Sequence, residues 1–266
     1  LIASCGAASC FFINAMSFLA GGVTLLFVRV PYHGGEHPVR RELLSVADLR
    51  EGMRFVMMHR EITLLLTSVL LVSLLAIPFV PLLPVFADSL AAGPRGLGTM
   101  SASLGGGSLL AALWLAASAR LPQRRDGHLP AGMLLPLALL LFALSTNYLL
   151  SLVSLFTAGA AVVIFLARVN CSLQQNCPDR LRGRVMGAYT LALLGGAPIG
   201  SLLVGGIAAG TGAQLALTLT SSTCAACLAV LRLGRFREET AETPWGRNLD
   251  GSDCARDWQK AESAPL

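Results

Sequence analysis

Few residues in this chain of 266 could carry out chemistry. The closest pair of reactive side chains is Cys224-Ala-Ala-Cys227, a C-x-x-C spacing that suits two zinc ligands or a dithiol. Neither a second cysteine pair nor a histidine is close enough in sequence to complete a zinc site. The spacing therefore favours helix packing, in which a thiol behaves as a small apolar side chain. We expect no metal site and no cofactor.

The remaining reactive side chains argue against catalysis. All four histidines lie in polar segments between apolar runs, and the single lysine, Lys260, lies in the polar tail. The sequence contains neither H-E-x-x-H nor a phosphate-binding G-x-x-x-x-G-K-[ST] motif. A metalloprotease, a serine–histidine protease inside the membrane, a retinal Schiff base and an ATP-driven pump are all unsupported. We expect that the chain is not an enzyme.

Hydroxyl side chains in two apolar runs are the candidates for contacting a small molecule in a cavity. Hydroxyls also bond back to their own helix, so the alternative interpretation of each is structural. The candidates are Thr67, Ser68, Ser73, Ser151, Ser154 and Thr157.

Prolines and glycines that could bend a helix form a second candidate set. Proline removes a helical hydrogen bond, and glycines spaced four apart let two helices approach closely. Static packing and bending during a transport cycle are both compatible with this pattern, which also recurs at Gly206 and Gly210. The candidates for bending or gating are Pro78, Pro81, Pro84, Gly196, Pro198 and Gly200.

These residues must be positioned by helices in a membrane, because 54% of the chain is hydrophobic and only 13% is charged. The mean hydropathy is +0.66, and a soluble domain carries about 25% charged residues. Apolar stretches of about 20 residues are long enough to cross a bilayer. The sequence predicts an all-α polytopic bundle of seven spans, near 5–28, 62–86, 97–119, 130–148, 149–170, 185–208 and 212–232.

The distribution of basic residues predicts the orientation of the spans. Of the 20 lysines and arginines, all except Arg95 fall in segments on one face of the predicted topology. Because basic loops remain in the cytoplasm, the carboxyl terminus is expected there and the amino end outside. The net charge of +5 is mild, so a nucleic-acid partner is not favoured, whereas contact with membrane lipids is.

The polar segments divide the chain into four parts. We expect a first helix at 1–28 and a cytoplasmic connection at 29–61, with an amphipathic helix after a capping box at Ser45-Val-Ala-Asp48. A six-helix bundle at 62–232 and a flexible cytoplasmic tail at 233–266 follow. Arginine-rich loops are expected at 120–129 and 171–184. Because no charged region precedes the first apolar run, a signal peptide is not indicated, and a fragment of a longer chain is expected.

Five ordered stretches resemble the major facilitator superfamily, in its enterobactin-exporter-like or transmembrane secretion effector branch. They are FFINAMSFLAGGVTLLFVRVP (11–31), LREGMRFVMMHREI (49–62), LLPVFADSLAAGPRGLGTMSASLGGGSLLAA (82–112), LQQNCPDRLRGRVMGAYTL (173–191) and GGAPIGSLLVGGIAAGTG (195–212). Their order is similar to helices six to twelve of a twelve-helix permease.

The resemblance implies a bacterial inner-membrane transporter that exports a small drug-like or siderophore-like molecule in exchange for protons. It implies that the second and fifth spans line the cavity and that any coupling acid lies in the missing amino-terminal half. Its most specific motif is the predicted cytoplasmic loop with Asp179, Arg180, Arg182, Gly183 and Arg184. The family's other loop motif is altered at ASARLPQRRDGHL (117–129), where Asp126 is displaced.

Two other classes remain open at this stage. A seven-span receptor or sensor would share the span count and the orientation, although the long connection at 29–61 argues against it. A membrane scaffold that transports nothing would share the composition.

Overall fold

The described part of the chain consists of helices and the short connections between them. The computed structural model describes residues 2–27, 54–90, 92–118 and 128–239. The elements are α1 (Ile2–Phe27), α2 (Arg60–Leu75), a 3₁₀ segment (Ile77–Leu82), α3 (Leu83–Ser89), α4 (Gly93–Ser118), α5 (His128–Leu144), α6 (Tyr148–Gln175), α7 (Asp179–Thr190), a π segment (Leu191–Gly195), α8 (Gly196–Thr211) and α9 (Ala213–Glu239).

The chain divides into two units, residues 1–45 and 46–266. In the first unit α1 is the described element. Its large apolar side chains, such as Phe11, Phe18 and Phe27, are exposed, which is the pattern of a helix that faces lipid or another helix. The second unit holds all the other described elements.

Five helical rods are long and apolar enough to cross a membrane. They are Arg60–Ser89, Gly93–Ser118, Tyr148–Gln175, Leu181–Thr211 and Ala213–Gly234. The two other predicted spans correspond to shorter apolar stretches, Phe11–Thr24 and Gly132–Leu144. The prediction of an all-α polytopic membrane bundle is confirmed, and five of its seven predicted spans have spanning length among the described residues.

Two tight turns separate consecutive helices of the second unit. Residues 145–147 separate α5 from α6, and the Asn147 side chain caps α6 by accepting hydrogen bonds from the backbone N–H groups of Leu149 and Leu150. Gly212 separates α8 from α9 with φ +88°, a conformation that glycine adopts without strain.

Several predicted loops are shorter in the structure. The predicted loop 171–184 is helical except at residues 176–178, because α6 continues to Gln175 and α7 begins at Asp179. The gap between the predicted spans 62–86 and 97–119 is likewise mostly helical, because α3 ends at Ser89 and α4 begins at Gly93. The predicted tail begins as the end of α9. Polar residues at the end of a helix resemble a loop in sequence, because a long helix can extend beyond the hydrocarbon core. Most of 29–61, including Ser45–Asp48, and the loop residues 119–127 lie outside the described residues.

The core of the second unit is built mainly around α6. Leu155, Phe165 and Leu173 of α6 are fully buried, as are Leu139 and Phe142 of α5. The α4–α6 contact is a close one, in which Ser103 Oγ donates to the Leu152 carbonyl at 2.6 Å and Ser108 Oγ donates to the Gly159 carbonyl at 3.1 Å. Small residues and hydroxyls at the contact are typical of helix association in lipid, where packing replaces the hydrophobic effect.

Candidate functional site

Two irregular helices cross in the second unit, and each loses its α-helical geometry near the crossing. The α2 helix changes to a 3₁₀ segment at Ile77, directly before Pro78. Because Pro78 has no N–H, it cannot donate to the Leu74 carbonyl in the α-helical manner. The Phe79 N–H instead donates to the Ala76 carbonyl at 3.4 Å, in the tighter i to i+3 pattern.

The partner helix widens rather than tightens. Residues Leu191–Gly195 form a π segment between α7 and α8. Pro198 follows, and its missing N–H could have bonded to the Leu194 carbonyl in an α-helix or to the Leu193 carbonyl in a π-helix. The Ser73 hydroxyl from α2 donates to the Leu193 carbonyl at 2.5 Å. A side chain of one irregular helix therefore satisfies the main chain of the other.

Glycines allow the two helices to approach this closely. A β-carbon at Gly196 would come within 2.7 Å of Ser73 Oγ. One at Gly200 would overlap the Leu74 carbonyl oxygen and come within 2.7 Å of Pro78 Cγ. By contrast, Gly206 and Gly210 have nothing within 4 Å among the residues that the structure describes. Of the two G-x-x-x-G patterns, the one at 196–200 packs against a neighbouring helix and the one at 206–210 lies open.

The crossing brings together three of the six residues that the sequence proposed for bending or gating, namely Pro78, Gly196 and Gly200. Pro81 lies inside the 3₁₀ segment and Pro84 in the first turn of α3, and both side chains are exposed. Pro198 is also exposed, on α8. It affects the crossing through its missing donor rather than through a side-chain contact.

Four of the six candidate hydroxyls are buried within the bundle. Ser68 and Ser73 on α2, with Ser151 and Ser154 on α6, are at most 2% exposed. Ser68 donates to the Leu65 carbonyl, Ser151 to the Asn147 carbonyl and Ser154 to the Leu150 carbonyl, all within their own helix turn. Ser73 alone among the four bonds across to another helix.

The other two candidates are half-buried. Thr157 Oγ1 donates to the Val153 carbonyl at 2.9 Å. Thr67 is different, because its hydroxyl makes no hydrogen bond to any protein atom in the described part of the chain. It shares the accessible face of α2 with Leu70 and Leu74, at the i, i+3 and i+7 positions.

The arginine-rich motif lies at the amino end of α7. Asp179 and Arg180 begin this helix, but their side chains lie outside the described ones. Arg182 and Gly183 are exposed and Arg184 is half-buried. The motif is therefore helical. It lies at the start of the rod Leu181–Thr211, which also contains the π segment.

Sequence reasoning missed two polar groups. Ser103 and Ser108 make the bonds between α4 and α6, and their position on either side of Gly105-Gly-Gly107 was an available signal. Asn170 accepts from Gln174 Nε2 at 2.5 Å. Amides at i and i+4 in an apolar helix were the signal for this second group.

The C-x-x-C pair lies in α9 as packing would require. Cys224 is buried, with its Sγ 4.0 Å from the Leu71 carbonyl oxygen, and Cys227 is half-buried. Neither forms a disulfide. Among the described residues no group of three or more histidine, cysteine or acidic side chains is arranged to hold a metal.

The geometry so far is that of a membrane bundle with two irregular helices and no catalytic cluster in its described part. A family model described as transmembrane secretion effector matches residues 1–252. The chain belongs to this family. It is therefore a multi-pass membrane transporter of the major facilitator type. No curated protein and no solved structure matches the chain.

Proposed function

We propose that this transporter exports a small amphipathic molecule, of the drug or siderophore type, from the bacterial cytoplasm. The observation that carries the proposal is the accessible face of α2, where the unpartnered Thr67 hydroxyl lies beside Leu70 and Leu74 in a chain of the secretion effector family. Transporter sites combine apolar walls with a few polar groups that fix orientation. A molecule with one polar group on an apolar body would match this face.

Thr67 and Ser68 are neighbours on α2, but their surroundings suit different roles, contact with a substrate for Thr67 and packing for Ser68. Thr67 is accessible and free of protein partners among the described residues, whereas Ser68 is fully buried and bonded to its own helix. Of these two residues, only Thr67 can donate a hydrogen bond to a substrate without first breaking one inside the protein. The buried serines at 151 and 154 then belong to the packing of α6.

The experiment is an efflux assay in cells that lack their major exporters. Cells expressing the protein should accumulate less of some amphipathic dyes or antibiotics than cells with an empty vector. Thr67→Val should weaken export about tenfold, because a hydrogen bond to substrate is lost in an apolar site. Ser68→Ala is the matched control and should export normally. If no compound in a broad panel changes in accumulation, the export proposal is wrong.

Proton coupling is the finer part of the proposal, and it rests on the family resemblance. Glu61 and Asp88 lie near the two ends of the α2–α3 rod and are exposed. Export should stop when a protonophore collapses the gradient and should continue when ATP is depleted while the gradient is maintained. Export that follows ATP instead would contradict coupling to protons.

The proposed orientation places the carboxyl terminus in the cytoplasm. It rests on the excess of arginine on one face, with Arg95 as the exception. An epitope inserted beside Gly93 should be accessible from outside intact cells, and one inserted at Gly183 should be reached only after permeabilisation. The opposite labelling pattern would reverse the topology.

A further inference from the structure

The π segment is the least regular part of the rod that runs from Leu181 to Thr211. A π segment contains one more residue than an α-helix needs over the same length, and such segments occur frequently at functional sites. When the extra residue is absorbed, one side of the helix turns by about 100° and advances by about 1.5 Å relative to the other. Leu191–Gly195 thus provides a place where α7 and α8 can change their relative rotation.

The helix that follows the π segment, α8, is held in place by its neighbours. On the α8 side, Gly196 and Gly200 lie directly against α2 and the 3₁₀ segment, which leaves no room for α8 to roll. On the α7 side, Gly183 and Gly187 have nothing within 4 Å among the described residues, whereas Leu181, Val185 and Tyr189 on the same helix are buried. Leu191 and Leu194 within the segment are 70% and 66% exposed. The α7 helix is therefore open on one face and packed on the other, and the π segment itself carries two exposed leucines.

A single side chain bonds to the π segment from the neighbouring irregular helix. The Ser73 hydroxyl is fully buried and donates to the Leu193 carbonyl, 120 positions further along the chain. Pro198 cannot supply a donor to this region of main chain. The bond therefore stabilises the π form specifically, because a change of register would move the Leu193 carbonyl away from Ser73.

We propose that Leu191–Gly195 switches between the π form seen here and an α-helical form, and that the bond from Ser73 to Leu193 holds it in the π form. In the α form α7 is turned relative to α8, while α8 stays packed against Leu74 and Pro78. This inference deepens the proposed export function, since it names the moving element at the crossing, and it rests on that function for its purpose.

The test measures hydrogen exchange of backbone amides in the purified chain, which does not depend on finding a substrate. In Ser73→Ala the segment should leave the π form more often, and its amides are exposed while it changes form. Amides of residues 191–197 should therefore exchange about fivefold faster than in the wild type, as expected for the loss of one hydrogen bond. Ser68→Ala is the matched control, because Ser68 is equally buried on the same helix but bonds within it. Its exchange at 191–197 should equal the wild-type rate.

The location of the change distinguishes switching from general loosening. Faster exchange confined to 191–197 supports the switch, whereas an equal increase across α2 and α9 overturns it, because the bundle as a whole would then be destabilised. Equal exchange in Ser73→Ala and Ser68→Ala also overturns it.

A second variant removes the extra residue itself. Deleting Ala192 should convert the segment to continuous α-helix, slow its exchange below the wild-type rate and abolish export. Wild-type export by the deletion variant would overturn the switch while leaving the export function intact. If the wild type exports nothing, the export proposal fails on its own, and the exchange comparison still decides the switch.

Discussion

Gly107 lies directly against the main chain of Phe156, so that a β-carbon at position 107 would overlap the Phe156 carbonyl oxygen. The reciprocal contact occurs one turn away, where a β-carbon at Gly159 would overlap the carbonyl of Leu104. Helices α4 and α6 are therefore in main-chain contact at two points, and Ser103 and Ser108 bond across the same seam. Among the glycine contacts between described helices, a β-carbon would come closest to a neighbouring main chain at this seam. The seam fixes the position of α6, the helix on which Thr157 lies.

The first prediction concerns this seam. Gly107→Ala should destabilise the protein by about 2 kcal/mol, because the added methyl group has no space and the helices must separate. Gly105→Ala is the matched control, since Gly105 belongs to the same glycine run but has nothing within 4 Å. It should be neutral or slightly stabilising, given the higher helix propensity of alanine. Unfolding of the purified variants by SDS, followed by circular dichroism, measures both.

The second prediction concerns the crossing of the irregular helices. Gly200→Ala should reduce export and stability together, because a methyl group there would push α8 away from Leu74 and Pro78. Gly206→Ala should leave both unchanged, as its side of α8 is open. Accumulation assays and SDS unfolding on both variants provide the comparison. Equal effects of the two substitutions would contradict the close approach at 200.

These glycine pairs also show what sequence could and could not predict. Hydropathy predicted the helical rods, because that signal is local. The patterns Gly196-x-x-x-Gly200 and Gly206-x-x-x-Gly210 are equivalent in sequence, yet within the described part of the chain only the first faces a helix. Likewise, Thr67 and Ser68 are adjacent, and only the fold decides which is accessible. The π segment has Pro198 as its nearest local signal, and proline more often merely kinks a helix.

The third prediction concerns the start of α6. Asn147 Oδ1 accepts from the Leu149 N–H at 2.9 Å and from the Leu150 N–H at 3.4 Å. Asn147→Ala should cost about 1 kcal/mol, because these donors lose their cap. Asn147→Asp preserves the acceptor and should retain most of the stability. A cost for Asn147→Asp as large as for Asn147→Ala would show that the side chain acts through something other than capping. The SDS unfolding midpoint is the measurement.

The fourth prediction concerns the buried hydroxyl of Ser221. Ser221 on α9 is fully buried, and its Oγ has no hydrogen-bond partner in the described part of the protein. A buried hydroxyl without a partner costs free energy that alanine does not incur. Ser221→Ala should therefore leave stability unchanged or raise it by up to about 1 kcal/mol.

Ser154→Ala is the control for this substitution, since Ser154 is also buried but donates to the Leu150 carbonyl at 2.8 Å. Its removal should cost about 0.5 kcal/mol, the lower end of the range for an intramolecular hydrogen bond. The two serines thus predict opposite signs for the same chemical change, measured by the same SDS unfolding experiment. A loss of stability in Ser221→Ala equal to that in Ser154→Ala would mean that the Ser221 hydroxyl is bonded in the folded protein, which would contradict the packing described for α9.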